Sequence, residues 1–193
     1  MTTNVNEYIY REIQPEFNSE ITQKFIAAGL EIIRACISCG TCSGSCPSGR
    51  RTALRTRSLI RRALIGDKSV LSDINLWFCS TCYTCQERCP RNLPVTDLIL
   101  KLRNIAVEEG EILETHLNLC KVFYDTGHGV PVNAPEHQAW RELRKSLDLD
   151  ELPPTVHSSQ KDLKECQTLM KLNGFKQLLD KLSAQKEVEI MLA

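Results

Sequence analysis

Aromatic side chains are scarce, at 6% of the chain, and no apolar run approaches the roughly 18–20 residues needed to cross a bilayer. The best candidate, FIAAGLEIIRAC, is short and carries Glu31 and Arg34. A large aromatic-rich core and a membrane span are therefore not expected. The N-terminal stretch MTTNVNEYIYREIQ has neither a basic start nor an apolar block, so no export signal is read there and a cytoplasmic location is expected. No G-x-G-x-x-G and no flavin motif occur, which argues against dinucleotide or flavin chemistry in this chain. Net charge is zero, yet it is unevenly placed. Residues 36–103 carry eleven Lys or Arg against four Asp or Glu, and the remainder carries thirteen against twenty. Six of the basic residues form one run: Arg50, Arg51, Arg55, Arg57, Arg61 and Arg62.

Cysteine is what the chain has in excess. There are ten, and eight of them sit in two segments, CISCGTCSGSCP over 36–47 and CSTCYTCQERCP over 79–90. Six of the twelve positions are identical, including the proline after the last cysteine. Clustering of this kind favours metal ligation over disulfide stapling, above all where no export signal is read. Each segment is C-x2-C-x2-C-x3-C-P, the spacing of proteins that bind two iron–sulfur clusters, in which the fourth cysteine of each run ligates the other cluster. The expected sets are Cys36, Cys39, Cys42 and Cys89 on one [4Fe–4S] cluster, and Cys79, Cys82, Cys85 and Cys46 on the other. Backbone N–H groups of Gly40, Thr41, Ser43 and Gly44 are candidates for hydrogen bonds to sulfur, which raise reduction potential. Zinc is the competing reading, but it needs four ligands in two pairs and leaves the third cysteine of each run surplus. Cys120 and Cys166 lie apart from the motifs and are expected to be buried structural residues. His128, between two glycines, has no assigned role.

The two segments form a helical repeat with a period of 43 residues, from Cys36 to Cys79. One helix is expected over about 19–35, capped by Asn18 or Ser19, with Ile21, Phe25, Leu30 and Ile33 along one stripe. A second is read in RRTALRTRSLIRRALIG, with Leu54, Ala63 and Leu64 on one side and Gly66 at its end. Ser72 or Asp73 opens a short turn into Cys79. A third helix is read in VTDLILKLRNIAVEEG, capped by Thr96 or Asp97 and closed by Gly110. Little of the chain alternates as strands do. The expected fold is mainly α: an N-terminal extension over 1–18, a two-cluster helical domain over 19–110, and a helical docking extension over 111–193. The arginine run admits three readings: a solvated helix face, a phosphate-binding face of a nucleic-acid protein, or a cationic surface that favours a reduced cluster and an acidic partner.

The stretches CISCGTCSGSCPSG, RTALRTRSLIRRALIG and WFCSTCYTCQERCPRNLPVTDLI closely resemble the C subunit of the heterodisulfide reductase of methanogenic archaea. The resemblance is specific over roughly residues 30–110 and continues less specifically through TGHGVPVNAPEHQAWRELRKSLDL. It implies an α-helical ferredoxin fold with two [4Fe–4S] clusters. It also implies a heterodisulfide reductase complex with A and B subunits, and a direction of electron flow within it. The flavin-bearing A subunit splits electron pairs by bifurcation. The C subunit relays single electrons onward. The B subunit reduces the disulfide between coenzyme M and coenzyme B. A hydrogenase or formate dehydrogenase supplies the electrons. In that setting the chain is expected to bind no substrate and no nucleic acid and to have no membrane span. Iron–sulfur subunits of fumarate, succinate or glycerol-3-phosphate dehydrogenases remain the alternative oxidoreductase reading, and a structural-metal nucleic-acid protein is the alternative from another class.

Overall fold

The computed structural model describes residues 20–130, 135–156 and 158–192, with side chains described as far as residue 186. The segment 1–17 and the caps at Asn18 and Ser19 lie outside the described residues. The chain divides into two compact units, Met1–Glu111 and Ile112–Ala193. Among the described residues there is no strand.

The first unit is built from α1 (Glu20–Ala27), α2 (Thr41–Gly44), α3 (Thr56–Leu64), α4 (Thr84–Glu87) and α5 (Val95–Glu108). Helices α1, α3 and α5 pack on one another, and their apolar faces form the core: Ile21, Phe25, Leu59, Leu64, Leu98, Leu102 and Ile105 are all at most 2% exposed. Burying a side chain of this size fully contributes about 1.5–3 kcal/mol. Thr22 on α1 donates its buried hydroxyl to the carbonyl of Leu64 at 3.2 Å, satisfying an otherwise open carbonyl at the end of α3.

The expected helix over 19–35 is two elements. It stops at Ala27 because Gly29 turns left-handed, φ 75°, and the N–H groups of Gly29 and Leu30 bond back to Ile26 and Phe25. The chain then re-enters as a 3-10 turn over Glu31–Ala35, which buries Ile33 and delivers Cys36. Leu30 packs only partly buried against the core. The second expected helix starts late, at Thr56. Thr52 bonds its hydroxyl to the Ser48 carbonyl and accepts the N–H of Leu54, so a side chain competes with helical pairing over 51–55. Leu54 is buried, but outside the helix. Gly66, φ 80°, ends α3 as expected. Neither Thr96 nor Asp97 caps α5; both lie in its first turn behind Pro94. Gly110, φ 96°, closes it.

Asp73 caps the 3-10 turn Ile74–Phe78 by accepting the N–H of Asn75, and Asp67 caps the preceding turn through Ser69. Arg62 bridges both carboxylates from α3. Hydrogen bonds from Ser69 and then Arg62 hold the Asp67 carboxyl down at about 2. Burial alone would raise Asp73, but the Asn75 N–H and Arg62 outweigh it and hold it low. A carboxyl with a depressed folded pKa stabilises the fold above its unfolded pKa, near 3.8, and loses that contribution as pH falls through the folded value. Melting temperature should therefore fall as pH drops from about 4 towards 2. In Arg62→Met the neutral-pH melting temperature should be lower and its acid dependence shallower. An unchanged acid profile would remove Arg62 from this role.

The second unit comprises α6 (Glu114–Thr126), α7 (Gln138–Ser146), α8 (Gln160–Leu172) and α9 (Phe175–Leu192). Helices α6, α8 and α9 pack around Leu117, Met170, Leu179 and Leu182. Phe123 and Phe175 meet edge to face at 6.4 Å. The last two helices are separated at Asn173–Gly174, where Gly174 has φ 84°. Gly127 ends α6 left-handed, φ 70°, against Val156. His128 accepts the N–H of Val130 at its Nδ1 and sits inside this turn. Cys120 and Cys166 are half-buried rather than buried, and burial pushes the Cys120 thiol up.

Candidate metal centre

The 43-residue sequence repeat is a repeat of structure. The 3-10 turn Glu31–Ala35 recurs as Ile74–Phe78, and the one-turn helix Thr41–Gly44 recurs as Thr84–Glu87. Between turn and helix each loop makes two left-handed residues, Ser38 and Gly40 in the first, Thr81 and Tyr83 in the second. Left-handed backbone is costly for a residue with a Cβ and persists only where its surroundings demand it. Here it curls three thiols at spacing three towards one side. Helices α2 and α4 pack on each other and bring the two loops together.

The eight motif thiols fall into two groups. Cys36, Cys39, Cys42 and Cys89 line one void of about 430 Å³, counted with its open mouth. Its walls are apolar, from Ile33, Ile60, Leu93 and Val95, and Arg57 and Arg91 also line it. In the other group Cys85 lies within electrostatic reach of Cys79, Cys46 and Cys82. Cys42 and Cys85 also sense each other, so the groups adjoin. The last cysteine of each loop thus stands with the first three of the other.

Chemistry of the donor set fits a metal core. Burial first, and then the neighbouring thiolates of Cys36, Cys85 and Cys39, push the Cys42 thiol up to about 11. Burial also pushes Cys85 up, and Cys79, Cys46 and Cys82 add to it against a hydrogen bond from Thr96. Crowded, partly buried thiolates are unfavourable unless a cation sits among them. At the first site the four thiols line a space rather than meet at a point. A void of that size leaves room for a cluster, whereas a single tetrahedral zinc holds its sulfurs about 2.3 Å away.

Hydrogen bonds to sulfur are present, in part from residues other than those expected. Thr41 engages Cys39 through its hydroxyl, at 3.3 Å, and through its backbone N–H, which lowers that thiol. The backbone N–H of Ser43 engages Cys42. The N–H of Gly44 instead bonds the carbonyl of Gly40. In the second loop Thr84 meets Cys82 at 3.4 Å and Thr96 meets Cys85 at 3.7 Å. Sequence reasoning missed Gly49, whose N–H bonds Cys46 Sγ at 3.3 Å. A Cβ there would stand 2.7 Å from the Leu54 carbonyl oxygen, so only glycine fits. The available signal was a glycine three residues beyond the fourth cysteine. It also missed Arg103 on α5, which donates to the carbonyls of Leu76 and Cys79.

The arginine run is not one face. Arg55 donates to the carbonyls of Gly49, Thr52 and Leu54, and Arg62 holds the two acid caps. Arg57 lies beside Gly40 and lines the first thiol pocket.

Comparison with known proteins agrees with this site. A family model described as a 4Fe-4S dicluster domain matches residues 32–93. The C subunit of H(2):CoB-CoM heterodisulfide,ferredoxin reductase from Methanothermobacter marburgensis is 45% identical over 163 residues, 84% of this chain and 86% of the relative. The chain belongs to the family of heterodisulfide reductase C subunits. Another member, the iron-sulfur C subunit of CoB--CoM heterodisulfide reductase from Methanopyrus kandleri, is 41% identical over 174 residues, 87% of this chain and 88% of the relative. A third, the C subunit of the Ferredoxin/F(420)H(2)-dependent CoB-CoM heterodisulfide reductase of Methanosarcina acetivorans, is 43% identical over 164 residues, 85% of this chain and 99% of the relative. These matches extend well beyond the cysteine loops. Members of this family are iron–sulfur subunits of oxidoreductases, and this chain carries their dicluster domain. Among the described residues no helix is long and apolar enough to cross a membrane.

Proposed function

We propose that this chain is the electron-relay component of a CoB-CoM heterodisulfide reductase complex. It passes single electrons from the flavin-bearing, bifurcating A subunit to the B subunit, where the disulfide is reduced. Its upstream source is a hydrogenase or formate dehydrogenase. The observation that carries this reading is the pairing of eight thiols into two adjoining groups across two loops. Cys36, Cys39, Cys42 and Cys89 would hold one [4Fe–4S] cluster, and Cys79, Cys82, Cys85 and Cys46 the other. Each bound cluster supplies a one-electron couple whose potential is set by hydrogen bonding and exposure. Names of the relatives support the assignment of the complex, since they carry CoB-CoM heterodisulfide with hydrogen, ferredoxin or formate.

The protein's own contribution is placement. Crossed ligation ties the two loops together and keeps both sites in one small unit. Apolar walls around the first site limit water. Cys39 and Cys82 are exposed, one from each loop, and give each site an outward edge. In the second unit α7 buries none of its side chains and exposes Trp140 and Leu143, and Leu147 just past its end is exposed too, which supports docking of residues 111–193 on another protein of the complex.

The test is stopped-flow mixing of the dithionite-reduced, cluster-loaded chain with the oxidised disulfide-reducing protein. The chain's iron–sulfur absorbance should recover rapidly as its partner is reduced, and should stay bleached in a mixture lacking that partner. A loaded chain that neither accepts electrons from the flavin-bearing protein nor gives them to the disulfide-reducing one would overturn the relay.

A further inference from the structure

The two thiol groups are not equivalent, and the difference has a direction. In the group of Cys46, Cys79, Cys82 and Cys85, three sulfurs have hydrogen-bond partners. The Gly49 N–H meets Cys46 at 3.3 Å, the Thr84 hydroxyl meets Cys82 at 3.4 Å, and the Thr96 hydroxyl meets Cys85 at 3.7 Å. In the group of Cys36, Cys39, Cys42 and Cys89, Thr41 meets Cys39 at 3.3 Å and the Ser43 N–H engages Cys42. A sulfur bound to iron carries no proton, so a hydroxyl against it becomes the donor. Donors to cluster sulfur raise the reduction potential by stabilising the added charge.

A cation adds to this asymmetry. Arg103 reaches from α5 beneath the second loop. Its Nη2 donates to the Cys79 carbonyl at 2.6 Å and its Nε to the Leu76 carbonyl at 3.1 Å. Its guanidinium sits 5.6 Å from the Trp77 ring centroid. Both hydrogen bonds go to neutral carbonyls and leave the positive charge intact. Burial pulls Arg103 down while the Cys79 thiolate opposes that, which places the two within electrostatic reach. The first group has Arg57 and Arg91, but both are exposed, and water and salt screen exposed charges far more than half-buried ones. Burial of Cys46 and Cys85 works in both directions: it disfavours added charge, and it strengthens each hydrogen bond and the attraction of Arg103.

We propose that Arg103, with the Gly49 N–H and the Thr96 hydroxyl, makes the Cys46, Cys79, Cys82 and Cys85 site the more easily reduced of the two, so that an electron shared between the sites collects there; the Thr84 hydroxyl is matched by Thr41 on Cys39 and does not separate them. Arg103 acts as a positioning residue: it fixes the backbone that carries Cys79 and holds a positive charge beside it. The inference rests on the crossed two-cluster reading.

The experiment is an anaerobic potentiometric titration of the cluster-loaded full chain followed by EPR, with the signals assigned through Cys39→Ser and Cys82→Ser. Iron and sulfide content reports separately on the two-cluster reading. In the unaltered chain the signal perturbed by Cys82→Ser should appear at the higher potential. In Arg103→Met the ratio of reduced to oxidised at that site should fall about tenfold at fixed potential, which is 59 mV for one electron, while the other site stays put. Arg103→Lys keeps the charge without the fork and should recover part of the ratio. A purely structural role would lower iron content or move both sites together. Should Arg103→Met lose a cluster, Thr96→Val, which removes one hydroxyl, carries the same test with a smaller fall confined to the same site. First reduction at the Cys36, Cys39, Cys42 and Cys89 site would overturn the proposal. So would unchanged potentials in fully loaded variants.

Discussion

Cys46→Ala should remove the iron–sulfur centre of the second loop and spare that of the first, although Cys46 belongs to the first loop. Iron should drop from about eight to about four per chain, since each [4Fe–4S] cluster needs its fourth thiolate. The surviving EPR signal should be the one that Cys39→Ser perturbs. Cys89→Ala should give the mirror result and lose the signal of the first loop. The reason is geometric. Cys46 is buried, accepts the Gly49 N–H and lies within electrostatic reach of Cys85, whereas Cys89 lines the void with Cys36, Cys39 and Cys42. If each loop served its own cluster, Cys46→Ala would instead remove the first-loop signal, and the crossed assignment would fail.

Chelating the iron should unfold residues 20–111 as a cooperative unit. Helices α2 and α4 are four residues long, and a single turn does not hold itself together in water. The loops also hold Ser38, Thr81 and Tyr83 at positive φ, each at a cost of about 1–3 kcal/mol. Without metal, the raised thiols of Cys42 and Cys85 remain protonated and the loops lose what draws them inward. Metal binding on the scale of about 10–16 kcal/mol, as for structural zinc in small domains, is comparable to a whole domain's stability. Amide hydrogen exchange on the loaded and chelated protein reads the effect locally. Protection in α1, α3 and α5 should collapse on chelation. Intact protection there would mean that the core of Phe25, Leu98 and Leu102 stands without the clusters.

The grouping of the cysteines was legible because two runs of equal spacing fold as a structural repeat, and the helix ends at Gly66 and Gly110 because glycine marks a left-handed stop. Other features were hidden by competition between local signals. The stripe Ile21, Phe25, Leu30, Ile33 is consistent with one continuous helix, but Gly29 reverses the backbone between its members. The run RRTALR has good helix formers, yet Thr52 offers its backbone neighbours a better partner and holds the chain open until Thr56. Thr96 reads as a helix cap, and its hydroxyl instead faces Cys85. The arginine run admitted three readings, and three-dimensional neighbours separate three of its members: Arg55 meets carbonyls, Arg62 meets two carboxylates, and Arg57 meets the thiol pocket. Arg103 had no sequence signal at all, since its partners are backbone oxygens 24 and 27 residues away.

The most direct test of the account is anaerobic iron and sulfide analysis together with EPR of the dithionite-reduced chain. About eight iron and eight sulfide per chain, with spectra broadened by two interacting reduced clusters, is the predicted result. Zinc without sulfide, or iron that dithionite cannot reduce, would contradict it.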